Sequence, residues 1–134
     1  MNTLKLYLLT LLAFLLIDML WLGLFARGLY QRYIGGLMRS PVNWYAALAF
    51  YLVFIAALIF FAVRPAITAA SGVRALLYGA FFGLVTYATY DLTNLATLKG
   101  WSLTISLVDM LWGMVLSGSV AWISFMIGTR LLAR

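Results

Sequence analysis

Residues 4–25 read LKLYLLTLLAFLLIDMLWLGLF. Apart from Lys5 and Asp18 the stretch carries no charge. A helix crosses the hydrocarbon core of a bilayer with about 20 mostly apolar residues, and this stretch has that length. Three more follow, at 44–63, 76–98 and 103–127. Backbone polar groups inside lipid must be paired internally, so spans of this length are helices. The short segments of alternating polarity that mark a barrel are absent. The expected fold is all-α: one integral membrane domain over 1–134, with four transmembrane helices in an antiparallel bundle.

The separators are recognisable. Residues 27–41 hold three arginines, the Gly35-Gly36 pair and Pro41, and read either as an interfacial helix or as an anchored loop. Arg64-Pro65 is expected to stop the second span, with Ser71-Gly72 after it, and Lys99-Gly100 makes a tight turn before the fourth. The first span is too long for a signal peptide, Asp18 interrupts it, and no clean small-x-small site follows, so it is expected to be retained. An even number of spans puts both termini on one side. Lys5, Arg64, Arg74, Arg130 and Arg134 share that side, against Arg27, Arg32, Arg39 and Lys99, so the positive-inside bias leans toward cytoplasmic termini.

Composition agrees. Of 134 residues 66% are hydrophobic and 9% charged, where a soluble domain carries about 25% charged residues. The formal charge of +6 is spread between the apolar runs. It reads as anchoring near anionic head groups, and without a basic run or basic-aromatic patch no nucleic-acid partner is expected. The chain has no Cys and no His. Disulfides, thiol nucleophiles, His- or Cys-built metal sites and a Ser-His-Asp triad are therefore excluded, and no cofactor can be named.

The three acidic residues, Asp18, Asp91 and Asp109, all fall inside spans. A carboxylate at a helix centre costs about 2.5–3.5 kcal/mol to insert, and such residues mark functional sites more often than not. Two sit in near-identical words, LIDMLW (16–21) and LVDMLW (107–112). The first span and the fourth run in opposite senses, yet counting residues from each end brings Asp18, Asp91 and Asp109 into one half of the bilayer. Residues three and four apart share a face. Asp18 therefore lies with Trp21, Asp91 with Tyr87 and Asn94, and Asp109 with Ser106 and Trp112. These eight residues are the candidate ligand- or ion-binding set. Carboxylates crowded out of water cannot all ionise cheaply. Arg27, Arg32 and Lys99 are the nearest basic groups that could oppose them, and a bound oxygen-ligated cation could also do so. The alternative is that the acids are polar glue between helices.

Gly79 and Gly83 form a GxxxG pair, and Gly113, Ser117 and Ala121 a row of small residues. They read as close packing within one chain ahead of a homodimer face. Spans one and three could suggest a duplication, but spans two and four match poorly.

YATYDLTNLATLKGW (87–101), with LVDMLWG (107–113) and IDMLWLG (17–23), resembles domain-of-unknown-function family 2177, small bacterial integral membrane proteins. The resemblance runs nearly end to end. It implies a bacterial inner-membrane protein of four helices and carries no assigned activity or catalytic residues. Three functions follow from the residues. The first is binding or transport of a proton, cation or small amphiphile by the aspartates. The second is an enzyme acting on a lipid or isoprenoid with Asp acid–base chemistry. The third is a structural accessory subunit. The expected partners are the lipid bilayer, a small amphiphilic or lipid ligand, and a second copy.

Overall fold

The computed structural model describes residues 2–38 and 42–132. Arg39 and Pro41, assigned above to the first separator, lie outside them. Four long helical stretches start at side-chain caps. Asn2, Asn43, Ser71 and Ser102 each accept a hydrogen bond from the backbone N–H three residues on, at 3.0, 3.3, 3.2 and 3.1 Å. Such caps satisfy one of the free donors at a helix start.

The first stretch is α1 (Thr3–Leu20), a π-helical segment (Trp21–Ala26) and α2 (Arg27–Ile34), ending in a 3₁₀ turn at Gly35–Leu37. Residues 27–34 are thus helical and not a loop, and the helix follows the first span without a break. No proline interrupts 21–34, and the wider π turn, a rare form that occurs mostly inside α-helices, carries the chain through. The second stretch is α3 (Trp44–Leu58), a π-helical segment (Ile59–Val63) and α4 (Arg64–Thr68). Here the expectation fails, because Arg64-Pro65 does not end the helix. The wide turn ends with the Arg64 N–H on the Ile59 carbonyl, and Pro65 falls in the first turn of α4, where its missing N–H costs little. The stop comes at Ala70, whose φ of 52° is left-handed, with Ser71 N–H returning to the Ala66 carbonyl at 3.0 Å.

The remaining stretches are α5 (Gly72–Thr97) and α6 (Leu103–Met126), the latter extended by a π-helical segment over Ile127–Leu131. The turn between α5 and α6 uses Gly100 at φ 77°, a region open to glycine and costly for other residues.

These two helices make the most extensive contact in the molecule, and glycine allows it. A Cβ on Gly79 would sit 2.5 Å from Ala121 Cβ and 2.6 Å from the Ser117 carbonyl oxygen. One on Gly83 would strike the Gly113 carbonyl oxygen, and one on Gly113 would strike the Tyr87 ring. The two small-residue rows are thus spent on each other within the chain. Around this pair, Leu6 and Phe14 of α1, Ile55 and Leu58 of α3, Ala62 and Val63, and Leu116 and Val120 of α6 form the buried core. Thr10 donates to the Leu6 carbonyl at 2.7 Å, so its oxygen is free to accept from Ser124 of α6 at 2.7 Å. Tyr7 ties α1 to α3 through the Leu52 carbonyl at 2.8 Å.

Three stretches, Thr3–Leu37, Trp44–Thr68 and Leu103–Leu131, are long and apolar enough to cross a membrane. The helix α5 has 26 residues but exchanges apolar side chains for Gly79, Gly83, Thr86, Tyr87, Thr89, Tyr90 and Asp91, which lowers its hydropathy.

Gly83→Ala should destabilise the detergent-solubilised protein by roughly 2 kcal/mol, because the new methyl meets backbone that cannot yield. Gly23→Ala, where a Cβ meets nothing within 4 Å, should be neutral or mildly stabilising. Thermal unfolding of the two variants side by side checks the contrast.

Candidate functional site

The repeated hexapeptides meet. Asp18, at the end of α1, accepts a hydrogen bond from the Trp112 indole N–H at 3.1 Å. The Trp112 ring stacks on Trp21, with centroids 4.5 Å apart and planes 10° from parallel. The aspartate of one copy is thus served by the tryptophan of the other. The exchange is one-sided. Asp109, the acid of the second copy, accepts instead from the Tyr30 hydroxyl at 2.7 Å, and the Trp21 indole N–H has no partner among the described residues. Tyr30 can reach because the helix continues through the π-helical segment into α2.

Asp91 is the most sealed of the three at 1% exposed, with Asp18 at 7% and Asp109 half-buried. The Asp91 carboxyl faces that of Asp109. Its Oδ2 is buried without a hydrogen-bond partner among the described residues. Two facing carboxyls repel when both are charged, and an unfilled acceptor at this depth costs about 1–3 kcal/mol. A proton shared between the two carboxyls, or a positive charge, would relieve this repulsion.

All three aspartates line one cavity of about 260 Å³. Trp21, Tyr30, Phe50, Tyr51, Tyr87, Tyr90, Trp101 and Trp112 supply aromatic walls, with Leu22, Ile34, Ala47 and Ile105 filling between them. Tyr87 rests on Gly113 and meets Phe54 edge-on at 6.2 Å. Trp101 is held by its indole N–H on Ser106 Oγ at 3.0 Å and by an edge contact with Tyr90 at 5.7 Å.

Of the eight residues singled out from the sequence, Asp18, Asp91, Asp109, Tyr87, Trp21 and Trp112 line this cavity, whereas Asn94 and Ser106 do not. Ser106 is fully buried and donates to the Ser102 carbonyl at 2.8 Å, so it positions Trp101 from behind. Asn94 stands one turn beyond Tyr90, half-exposed. The basic residues thought able to oppose the acids, Arg27, Arg32 and Lys99, are not in the lining, and Arg32 lies 5.7 Å over the Tyr33 ring. Neutral O–H and N–H donors take that place. The sequence reading missed Tyr30, Tyr51, Tyr90 and Trp101. Tyr30 was legible only by carrying the first helix past Phe25. Tyr90 precedes Asp91 and shares a helix turn with Tyr87, which was a usable signal. No group of three acidic, His or Cys residues among those described is arranged to hold a metal ion.

Tyr30→Phe keeps the ring and removes the donor to Asp109. It should lower stability by about 1.5–3 kcal/mol, the range for a hydrogen bond to a charged group. Tyr45→Phe, at a residue 91% exposed, is the control and should change little. Equal melting temperatures for the two variants would contradict the assigned contact.

No curated protein and no solved structure matches the chain. A family model described as predicted membrane protein, DUF2177, matches residues 3–126. That match covers most of the chain, its apolar helices suit the description, and the protein belongs to this family of predicted membrane proteins.

Proposed function

We propose that the protein binds a positively charged ligand inside the membrane, in the cavity between its helices. The observation that carries this reading is the lining: three carboxyls, eight aromatic side chains and, among the described residues, no Lys or Arg. In surroundings of low dielectric, unopposed carboxyls attract a cation far more strongly than they would in water. Aromatic faces add cation–π attraction. A walled site with few acid ligands suits an organic ammonium better than a chelated metal, since a calcium-like ion asks for 6–8 oxygens.

The reading takes α5 as a fourth span. Its 26 residues rise about 39 Å at 1.5 Å each, enough for the core of a bilayer. The polar groups that lower its hydropathy include Tyr87 and Asp91, which line the cavity, and Gly79 and Gly83, buried against α6. Four antiparallel spans then return both termini to one face. From the family resemblance and the basic-residue balance, we take the membrane as the bacterial inner membrane and that face as cytoplasmic.

The test is direct. Trp21, Trp101 and Trp112 line the cavity, so tryptophan emission should change saturably as butylammonium is added to the protein in nanodiscs, and not with neutral butanol. Asp91→Asn and Asp109→Asn should each weaken binding by about tenfold or more, the worth of one charged contact. Equal responses to butylammonium and butanol, or variants that bind as the parent does, would sink the reading. Aspartates acting only as glue would give that result.

A further inference from the structure

The cavity does not end at the aspartates. A second hollow of about 380 Å³ is lined by Phe50, Thr86, Tyr87, Tyr90 and Asp109. Four of these, all but Thr86, also line the first, so the two adjoin. The second runs between α3 and α5, which approach through rings such as Phe54 against Phe82 at 5.4 Å and share little close backbone contact. Its rim is outward-facing: Phe50 is 46% and Tyr90 56% exposed. Thr86 turns its only proton back on its own helix, to the Phe82 carbonyl at 2.9 Å and that of Gly83 at 3.1 Å. The groove therefore offers apolar surface, while the inner end offers acids.

We infer that the natural occupant is a single-chain amphiphile with a protonated amine head, the head among Asp18, Asp91 and Asp109 and the tail leaving between α3 and α5 toward lipid. This rests on the cation-binding reading and adds the tail. Charge complementarity decides the head, because the lining holds three carboxyls and, among the described residues, no basic one. A zwitterionic phosphate head would set its own anion beside them. The amine is preferred to a fully methylated ammonium because Asp91 lines the cavity and its buried Oδ2 lacks a hydrogen-bond partner among the described residues, and an ammonium with N–H groups can supply a donor where a methylated one cannot. The tail path follows from the outward-facing rim, which lets a lipid-borne molecule enter sideways without crossing water. A chain gains little by moving from lipid into a groove, so the head sets affinity and the groove sets where the chain lies.

A long-chain primary amine carrying a diazirine at mid-chain, photolysed with the protein in nanodiscs and mapped by mass spectrometry, tests this. Labelling should concentrate on Phe50, Thr86 and Tyr90. It should fall by about tenfold in Asp91→Asn or Asp109→Asn, the worth of one charged contact, and should fall with excess butylammonium. The trimethylated analogue should label less, and the sulfate of the same chain should not label these positions. Labelling spread evenly over outer leucines such as Leu8, Leu12 and Leu16 would overturn the tail assignment while leaving butylammonium binding intact. Equal labelling by amine and sulfate would overturn the head assignment. Absence of any butylammonium response would remove the cation reading itself.

Discussion

Asp91 and Asp109 face each other because α5 and α6 touch backbone to backbone. Gly83 against the Gly113 carbonyl, and Gly79 against Ala121 and Ser117, leave no room for a β-carbon. That approach draws the Asp91 turn of one helix onto the Asp109 turn of the other. Every further feature of the site answers the resulting charge. The α1 stretch brings Asp18 and Trp21 to the same level, and its continuation as α2 delivers the Tyr30 hydroxyl. Close packing of small residues is the main attraction between helices in lipid, where no hydrophobic force acts between them. In this chain the same contact also sets the electrostatics.

The answer to that charge is neutral. An indole N–H and a phenol O–H bond two of the three carboxyls, while the basic residues among those described stay out of the lining. A buried Arg or Lys would cancel a carboxylate and leave nothing for a ligand to complete. Hydroxyl and indole donors orient the acids without neutralising them. Asp91 Oδ2, which has no hydrogen-bond partner among the described residues, is the acceptor on which the ligand reading rests ahead of glue.

The helical class was readable from span lengths, but the third helix begins at Gly72 behind the Ser71 cap, four residues before the apolar run at 76 suggested. The level of the aspartates was readable too, since topology and rise per residue place them together once each helix direction is assigned. The interruptions were not. Residues 21–26, 59–63 and 127–131 wind as π-helical segments. Such turns arise from the packing of several side chains and leave little local signature, so Arg64-Pro65 and Arg27 read as ends where the helix continues. Tyr30 was lost for that reason. Ser106 was grouped with Asp109 by helix spacing; its hydroxyl donates to the Ser102 carbonyl and accepts from the Trp101 indole N–H, and the latter contact depends on the turn before the helix.

The central claim is that Asp91 and Asp109 act on one ligand in one cavity. A double-mutant cycle on butylammonium affinity tests it most directly, using calorimetry on the parent, Asp91→Asn, Asp109→Asn and the double variant. Groups that share a ligand should couple by more than about 0.5 kcal/mol, so the double loss should differ from the sum of the single losses. Losses that add within measurement error, or an affinity unchanged in all three variants, would contradict a shared site.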